Sequence, residues 1–316
     1  MGRISIIVPM FNAMRTLDRA FQSILAQTFT DWEVIFVNDA STDGSAEWVN
    51  ANYCSDSRVT LLQQPQNHGP SAARNRAIDA AKGEWIALLD ADDAWGPDRL
   101  ESLLAESEDA DFIADNIVTY DAIAEMETGQ FLDDFELPIL TLEDALIGWL
   151  GNRKMDAGYL KPMMRTEFLR RTNLKYQLSL RHGEDFTLYC EALAQGARFR
   201  LVNSCGYIYT TSVGRRSKQH SPHSWTRPDP IALSEALSQI REKHRQSLSD
   251  TESSALARYS ANLIKSAPRW EFECALDQRR YFECSRLFVR HDTVRRKVAK
   301  SILVALGLVR DSRPIR

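Results

Sequence analysis

Short apolar runs alternate with amphipathic segments through the first 115 residues of the chain. The runs are rich in β-branched and aromatic residues and occupy 4–8, 33–37, 58–63, 84–89 and 111–115. Strands that are apolar on both faces and separated by helices are typical of a parallel sheet covered on both sides. We therefore expect an α/β fold with a mostly parallel, Rossmann-like sheet flanked by helices.

The segments between these runs carry the signals of helices. Thr16 is the predicted N-cap of the first helix. Pro70 stands at the entrance of a later helix, and Gly83 is predicted to cap the end of that helix. The apolar residues of the first helix recur at i, i+3, i+4, i+7 and i+8, on one helix face; they are Leu17, Ala20, Phe21, Ile24 and Leu25.

The chain becomes less regular after the fifth run. The middle region mixes short apolar runs with one well-patterned helix, 184–196, and from about residue 230 the sequence is helical and charged. We expect one domain over 1–225, made of two halves, 1–115 and 116–225. A helical C-terminal extension over 226–316 is expected to follow it.

Composition argues against several classes of protein. The formal net charge is −4, so the charge balance gives no indication of nucleic-acid binding. The five cysteines have no metal-binding spacing, which indicates reduced thiols and a cytoplasmic protein. The apolar run that ends at Pro9 is too short for a signal peptide or a membrane span.

Polar or turn-forming residues follow each of the first four runs, where the predicted strands end. The carboxyl ends of parallel strands meet at one edge of a sheet, and ligands bind there in folds of this kind. The pattern therefore predicts a site at that edge. The residues are Pro9 and Asn12 after the first run, Asp39 and Asp43 after the second, Arg74 and Asn75 after the third, and Asp90, Asp92 and Asp93 after the fourth.

Most of these features also have a purely structural interpretation. Asp43 can belong to a turn that caps a helix, Arg74 can be solvated on a helix face, and Asp93 can be a helix cap. The three neighbouring carboxylates are harder to explain, because like charges at the edge of a core repel each other. Asp90 and Asp92, spaced i and i+2, are typical ligands of a hard cation such as Mg²⁺ or Mn²⁺.

Four stretches of the sequence together resemble the family 2 glycosyltransferases, which have the GT-A fold. They are ISIIVPMFNA, VIFVNDASTDGS, NHGPSAARNRAIDAAKGEWIALLDADD and GEDFTLYCEALAQG. The resemblance is dense over 4–100 and thinner over 183–196, and nothing comparable covers 226–316. In general style the chain is similar to bacterial enzymes that build exopolysaccharide, capsule or lipopolysaccharide chains.

The resemblance implies a role for each matching position in a nucleotide site. Pro9 and Asn12 would line the nucleotide pocket, and Asp39 would accept a hydrogen bond from the uracil ring. Arg74 would lie near the diphosphate. The family often has a second acid immediately before Asp39, whereas this chain has Asn38 there. That departure argues against a second acid in the base pocket.

The resemblance also implies the reaction, which is inverting transfer of a sugar from a nucleotide sugar to an acceptor hydroxyl. UDP is the favoured nucleotide, with 1–115 as the nucleotide-binding half and 116–225 as the acceptor half. Asp90 and Asp92 would form a DxD motif that holds the ribose–diphosphate and a Mg²⁺ or Mn²⁺ ion, which stabilises the leaving nucleotide. Asp185 would be the catalytic base, at a helix start whose dipole favours its ionised form.

Two alternatives to this interpretation stay open. Glu184 and Asp185 can simply cap the helix that they begin. The whole chain can be a nucleotide-sugar or glycan-binding protein with a degenerate catalytic site. A Rossmann dehydrogenase or a sugar nucleotidyltransferase is excluded because the turn after the first run, VPMFNA, lacks glycine. The sequence does not specify the sugar, the linkage or the acceptor.

A cationic loop, GRRSKQH, follows the middle region at 214–220. Arg215, Arg216 and Lys218 are expected to close over the diphosphate when the donor binds. His220 or His223 is either a further metal ligand or a solvated loop histidine.

The tail 285–316 carries nine Arg or Lys residues against two Asp residues, with an apolar segment too short to span a bilayer. A basic helix of this kind can lie on an anionic membrane surface, which would suit a lipid-linked glycan acceptor. The alternatives are a helix that packs on the domain or one that forms a contact in a homo-oligomer.

Overall fold

The computed structural model describes residues 3–131, 138–150, 153–154, 156–180, 182–211 and 229–305. A short 3-10 helix covers Ala157–Tyr159. The strands are β1 Ile4–Met10, β2 Trp32–Asn38, β3 Val59–Gln63, β4 Trp85–Leu88, β5 Ala94–Trp95, β6 Phe112–Asp121, β7 Met126–Gln130, β8 Ile139–Leu140, β9 Trp149–Leu150, β10 Arg153–Lys154, β11 Met163–Arg165 and β12 Phe199–Thr211. The helices are α1 Leu17–Leu25, α2 Ser45–Asn52, α3 Pro70–Ala80, α4 Arg99–Ala105, α5 Leu142–Ile147, α6 Thr166–Thr172, α7 Glu184–Ala194, α8 Pro230–Lys243, α9 Asp250–Asp277, α10 Tyr281–Arg290 and α11 Asp292–Ala305.

The main sheet has the strand order β3-β2-β1-β4-β11-β6-β12-β5, with β7 on β6 and β8 on β12. The first four strands pair in parallel, as the sequence predicts. Beyond β4 the sheet is mixed, because β11 runs antiparallel to both β4 and β6. Strands β6 and β12 nevertheless pair in parallel along most of their length. The expectation of a mostly parallel sheet is therefore confirmed, with antiparallel strands added in the second half of the chain.

Two apolar layers enclose the parallel strands. Ile6 and Val8 of β1 pack with Phe21 of α1 on one side of the sheet. Ile7, between them, packs with Ala77 of α3 on the other side. Successive side chains of a strand point to opposite faces, so a strand that is apolar at every position must be covered twice.

The C-terminal helices pack against the sheet domain. Leu233 and Leu237 of α8 join the same core layer as Phe186 of α7, and Leu256 of α9 joins it too. The helical extension predicted from the sequence is confirmed over the described residues of that region. Within the described part of the chain, every helix is too short or too polar to cross a membrane.

Of the two capping predictions, the one for Thr16 is confirmed in position only, and the one for Gly83 is wrong. Thr16 precedes α1 but makes no capping bond, since its hydroxyl donates to Ala13 O at 3.2 Å. The C-cap of α3 is Ala81 rather than Gly83. Gly83 instead packs against the start of β1, where an added Cβ would lie 2.5 Å from Ser5 N. Glycine is needed there for close backbone approach, which a local pattern does not reveal.

Candidate active site

The loops after β1 and β2 are hydrogen-bonded to each other at the carboxyl edge of the sheet. Asn12 Oδ1 accepts from Thr42 N at 2.8 Å, and Asn12 N donates to Ser41 Oγ at 3.0 Å. Asn12 has a φ of +51°, a left-handed conformation that asparagine tolerates better than most residues. Pro9 lies half-buried near the end of β1. Both predicted pocket residues therefore lie at the expected edge.

Asp39 follows β2 and is buried. Its carboxylate accepts hydrogen bonds from Gln64 Nε2 at 2.8 Å, His68 N at 2.8 Å and Gly69 N at 2.7 Å. These bonds hold the loop that leads into α3. A carboxylate has about four acceptor sites, so one site is left for a nucleobase N–H. Asp39 thus has a structural task besides its predicted contact with uracil.

Two other polar residues of these loops also have structural tasks. Asp43 accepts hydrogen bonds from Met14 N at 3.0 Å and Ser45 N at 3.0 Å, so it joins the start of α2 to the loop before α1. Asn38 donates to Gln63 Oε1 at 2.6 Å and accepts from Ser41 N at 3.0 Å. For Asp43 the structure supports the interpretation as a turn at a helix start.

Two cations bring three carboxylates together beyond the end of β4. Arg74 of α3 donates to Asp90 Oδ1 at 2.8 Å and to Glu184 Oε1 at 3.0 Å. Lys161, just before β11, lies 2.6 Å from Asp185 Oδ2 and 3.1 Å from Asp90 Oδ2. Both cations are buried. We call Arg74, Asp90, Lys161, Glu184 and Asp185 the charge cluster.

The contacts within the cluster keep Lys161 and Asp90 ionised. Burial opposes the charge of Lys161, but Asp185 and Asp90 outweigh it and hold the pKa of Lys161 above its usual value. Burial likewise disfavours ionised Asp90, but Lys161 and Arg74 overcome this effect and lower its pKa. The like-charge repulsion anticipated at the DADD turn is therefore relieved at Asp90 by cations of the protein itself.

Sequence reasoning missed Lys161. A buried ion pair anchors its backbone, because Arg99 Nη2 donates both to Lys161 O at 2.6 Å and to Asp115 Oδ1 at 2.8 Å. Tyr189 of α7 donates to the preceding carbonyl, Leu160 O, at 2.8 Å. The available signal was a lysine inside the apolar run YLKPMM. A lysine in that setting has to reach the surface or find a carboxylate.

Asp185 begins the second half of the site, on the first turn of α7. The N-cap is Gly183, with a φ of +78°, and Glu184 and Asp185 direct their side chains to Arg74 and Lys161. Asp185 Oδ1 is shielded from solvent, with Arg74 Nη1 3.5 Å away, and the Asp185 carboxylate also interacts with the hydroxyl of Tyr176. This oxygen has the acceptor capacity that a base requires.

The other two acids of the DADD turn behave differently from each other. Asp93 is buried and accepts from Tyr207 Oη at 2.7 Å and from Thr210 N at 2.7 Å, so it ties the turn to β12 rather than capping a helix. Asp92 is exposed at the surface. Its side chain reaches solvent, but the protein packed around it reduces its hydration; this effect, with a further one of Asp90, raises the pKa of Asp92 to about 6.

The carboxylates at this edge of the sheet suit a metal ion that binds together with a substrate. Within the described part of the chain, no group of three or more His, Cys, Asp and Glu side chains is arranged to hold a metal. Mg²⁺ is usually held by one or two carboxylates plus substrate phosphates rather than by a complete protein cage. Asp92 offers an exposed carboxylate whose charge is poorly compensated, and Asp90 stands two residues before it. The residues present therefore fit such an ion.

A groove of about 510 Å³ lies between α5, α7 and α9 and reaches Phe186, the neighbour of Asp185. Arg258, Tyr259 and Asn262 of α9 line it together with Asp156. The rings of Tyr259 and Phe186 lie 5.3 Å apart. Burial raises the pKa of Asp156, although a hydrogen bond from Gly158 N and the nearby His182 oppose this effect.

The cationic loop lies outside the described residues, including Arg215, Arg216, Lys218, His220 and His223. Its predicted closure over the diphosphate stays a prediction.

Comparison of the sequence with known proteins gives a consistent result. A family model described as Glycosyl transferase family 2 matches residues 5–160. The succinoglycan biosynthesis protein ExoU of Rhizobium meliloti is 41% identical over 224 residues, which cover 69% of this chain and 64% of ExoU. TuaG of Bacillus subtilis is named as a glycosyltransferase of teichuronic acid biosynthesis. It is 34% identical over 212 residues, which cover 64% of this chain and 80% of TuaG.

Comparison of the structure supports the fold. Residues 1–349 of TarS from S. aureus, crystallised with UDP-GlcNAc, match with a TM-score of 0.64 at 20% identity, over 83% of this chain and 72% of TarS 1–349. The mannosyltransferase PcManGT of Pyrobaculum calidifontis, crystallised with GDP-Man and Mn²⁺, matches with a TM-score of 0.54 at 17% identity, over 99% of this chain and 88% of PcManGT. At these identities the likeness concerns the fold alone.

The sequence matches cover only part of some relatives, which limits the conclusions about function. This chain spans less than two thirds of ExoU and of the related succinoglycan protein ExoO, at 64% and 62% of their lengths. The four sequence motifs, the GT-A-like sheet and the relatives nevertheless agree with one another. The chain belongs to glycosyl transferase family 2.

Proposed function

We propose that the chain is an inverting glycosyltransferase that moves a sugar from a nucleotide sugar to an acceptor hydroxyl. The donor is a UDP-sugar, and the acceptor is a growing or lipid-linked surface polysaccharide. The observation that carries this proposal is the charge cluster, in which residues from both halves of the domain meet beyond the end of β4. Relatives named for succinoglycan and teichuronic acid biosynthesis support the class of acceptor.

Asp185 is the base in the proposed reaction. The acceptor oxygen forms a bond to the anomeric carbon as the bond from that carbon to the diphosphate breaks. The hydroxyl proton passes to Asp185, the diphosphate leaves with the electron pair, and the configuration of the sugar inverts. The atom that takes the proton in this proposal is the buried Oδ1 of Asp185, whose distance to Arg74 Nη1 is 3.5 Å.

The two cations of the charge cluster determine the order in which the donor and the acceptor act. Arg74 and Lys161 engage Asp185 before any substrate is present, so its carboxylate is held in place but is weakly available. A bound diphosphate competes for the same two cations, because phosphate oxygens are good partners for guanidinium and ammonium groups. Donor binding therefore precedes acceptor activation.

In this proposal, 1–115 is the donor half and 116–225 is the acceptor half. The edge residues Asn12 and Asp39 contact the nucleotide. Asp92 and Asp90 hold the Mg²⁺ or Mn²⁺ ion. When bound, such an ion offsets the negative charge that develops on the leaving nucleoside diphosphate.

The groove beside Phe186 is the proposed acceptor site, and it extends the acceptor half to α9. Arg258 and Asn262 supply hydrogen-bond donors of the kind that sugar hydroxyls and acidic substituents accept. Tyr259, close to Phe186, supplies an aromatic face. The C-terminal extension thus completes a site that the sheet domain begins.

One observation favours a binding protein with a degenerate site instead. Asp185 is buried and has Lys161 at 2.6 Å, which is an unfavourable starting state for a base. Measuring nucleotide release from a panel of UDP-sugars, with and without Mg²⁺ or Mn²⁺, separates the two functions. Turnover that depends on Asp185 supports the enzyme. Tight binding of a nucleotide sugar without turnover of any donor supports the binding protein.

A further inference from the structure

Helix α10 exposes an apolar surface to solvent. Phe282 and Val289 have exposed fractions of 85% and 72%, and Tyr281 and Phe288 are exposed as well. Single exposed apolar residues are common in proteins, but four on one ten-residue helix form a patch, and such patches mark interaction sites.

The four residues share one helix face. Their positions, together with Ser285, recur at i, i+1, i+4, i+7 and i+8, which gives a continuous stripe along the helix. Cys284 and Leu287, on a different face, are buried. We call Tyr281, Phe282, Phe288 and Val289 the α10 stripe. The protein holds α10 through one face and presents the stripe on another.

Positive charge surrounds the α10 stripe. Residues 278–301 contain eight Arg or Lys residues and two acidic residues, Glu283 and Asp292. Arg286 and Arg290 border the stripe on the same helix and are exposed. Apolar and aromatic residues bordered by arginines are typical of helices that lie in the headgroup region of an anionic bilayer.

We propose that the α10 stripe docks on an anionic lipid surface, with the aromatic side chains at the headgroup boundary and the flanking arginines on lipid phosphates. This surface begins four residues before the predicted basic tail, because its two leading aromatic residues, Tyr281 and Phe282, precede residue 285. It goes beyond the proposed transfer reaction and does not depend on it.

The charge distribution favours lipid over a second copy of the chain. A symmetric contact through this face would bring the exposed Arg286 and Arg290 of one copy close to those of the other. The C-terminal segment 306–316 is also basic, with three arginines and one aspartate, so it does not complement the surface either. An anionic bilayer matches both the apolar stripe and its positive surroundings.

The test is co-sedimentation of the full chain with two kinds of vesicle. One contains phosphatidylcholine alone, and the other contains about one third phosphatidylglycerol. We expect binding to the anionic vesicles that weakens at about 0.5 M salt. Phe282→Ser/Val289→Ser should weaken that binding about tenfold or more. The matched control, Ile123→Ser/Met126→Ser, removes two exposed apolar residues elsewhere and should bind like the wild type.

A second variant keeps the test decisive if the first one folds poorly. Arg286→Glu/Arg290→Glu changes only exposed charges and should also lose binding to anionic vesicles. Absence of vesicle binding by the wild type, or equal binding by the stripe variants and the control, overturns the proposal. Sedimentation velocity supplies one more contrary result. A wild-type dimer that Phe282→Ser/Val289→Ser dissociates, without vesicle binding, assigns the stripe to a second copy.

Discussion

Lys161→Met removes one of two buried cations and tests whether the charge cluster holds the site together. The cluster combines three carboxylates with two cations, so its formal charge changes from −1 to −2. Asp90 keeps Arg74 at 2.8 Å, whereas Asp185 keeps only the longer contact to Arg74 at 3.5 Å. Asp185 is therefore the carboxylate that loses its close partner.

The structure gives a magnitude for this change. The side chains of Lys161 and Asp185 are 7% and 9% exposed, so their pair belongs to the buried class. Removing one member of a buried ion pair typically costs about 3–5 kcal/mol, since a charge is left without compensation. With about 2 °C per kcal/mol for a protein of this size, the midpoint of thermal unfolding should fall by about 6–10 °C.

The assay is thermal unfolding of wild type and variant at one scan rate, with Lys175→Met as the matched control. Lys175 also pairs with a carboxylate at 2.8 Å, that of Asp79, but both side chains are largely exposed. An exposed pair contributes about 0–1 kcal/mol, so the control should change the midpoint by about 2 °C or less. Equal shifts for the two variants would refute the buried-pair reasoning.

The pH dependence supplies a second check on Lys161. Its folded pKa is raised, so its stabilising effect is complete below the unfolded value of about 10.4 and is lost as pH rises through the folded pKa. The folded pKa of Asp90 is lowered, so its effect is present above about 3.9 and is lost as pH falls. The stabilising effect of Lys161 should thus still be present at pH 9. Any change near pH 6 in the stability difference between wild type and Lys161→Met should come from Asp92, whose pKa is about 6 and is influenced by Lys161.

Three further variants test the nucleotide, metal and acceptor assignments. Asp92→Asn should nearly abolish nucleotide release, because an amide is a poor ligand for a hard cation, and a chelator should do the same to the wild type; activity that resists both argues against a metal. Asp39→Ala should weaken UDP binding in calorimetry and also cost about 1–3 kcal/mol of stability, since it leaves the amides of His68 and Gly69 without their acceptor. Arg258→Ala/Asn262→Ala should reduce transfer but leave acceptor-independent donor hydrolysis unchanged; an equal loss of both reactions contradicts the acceptor groove.

The sequence predicts the parallel half of the sheet well because local patterns determine it. Strands β1 and β2 are buried at nearly every position, so their runs are almost entirely apolar and easily recognised. The sequence predicts strand β12 less well. Its pairing with β6 changes register between Val202 and Tyr207, so the sequence resembles two short runs rather than one strand. Pairings such as β11 with β4 and β6 join distant segments, which a local pattern does not specify.

In the candidate site, too, the residues in local motifs were predictable and those placed by distant contacts were not. Asp90, Asp92 and Asp185 stand in recognisable motifs, so the sequence could propose them. Lys161 stands in no motif, and its place in the cluster depends on Arg99 and on residues remote in the chain. The exposure of the α10 stripe likewise depends on which face of the helix the rest of the protein covers.

The most direct test of the central claim is sugar transfer by Asp185→Asn at saturating donor and metal. The amide keeps the shape of the side chain but accepts no proton at neutral pH. We expect donor binding close to that of the wild type and transfer lower by roughly 10²–10⁴-fold, the usual effect of losing a positioned base. Since Gly183 is the N-cap of α7, Asp185 has no capping bond to lose. Near-normal transfer by the variant would mean that Asp185 is structural and that the proposed mechanism is wrong.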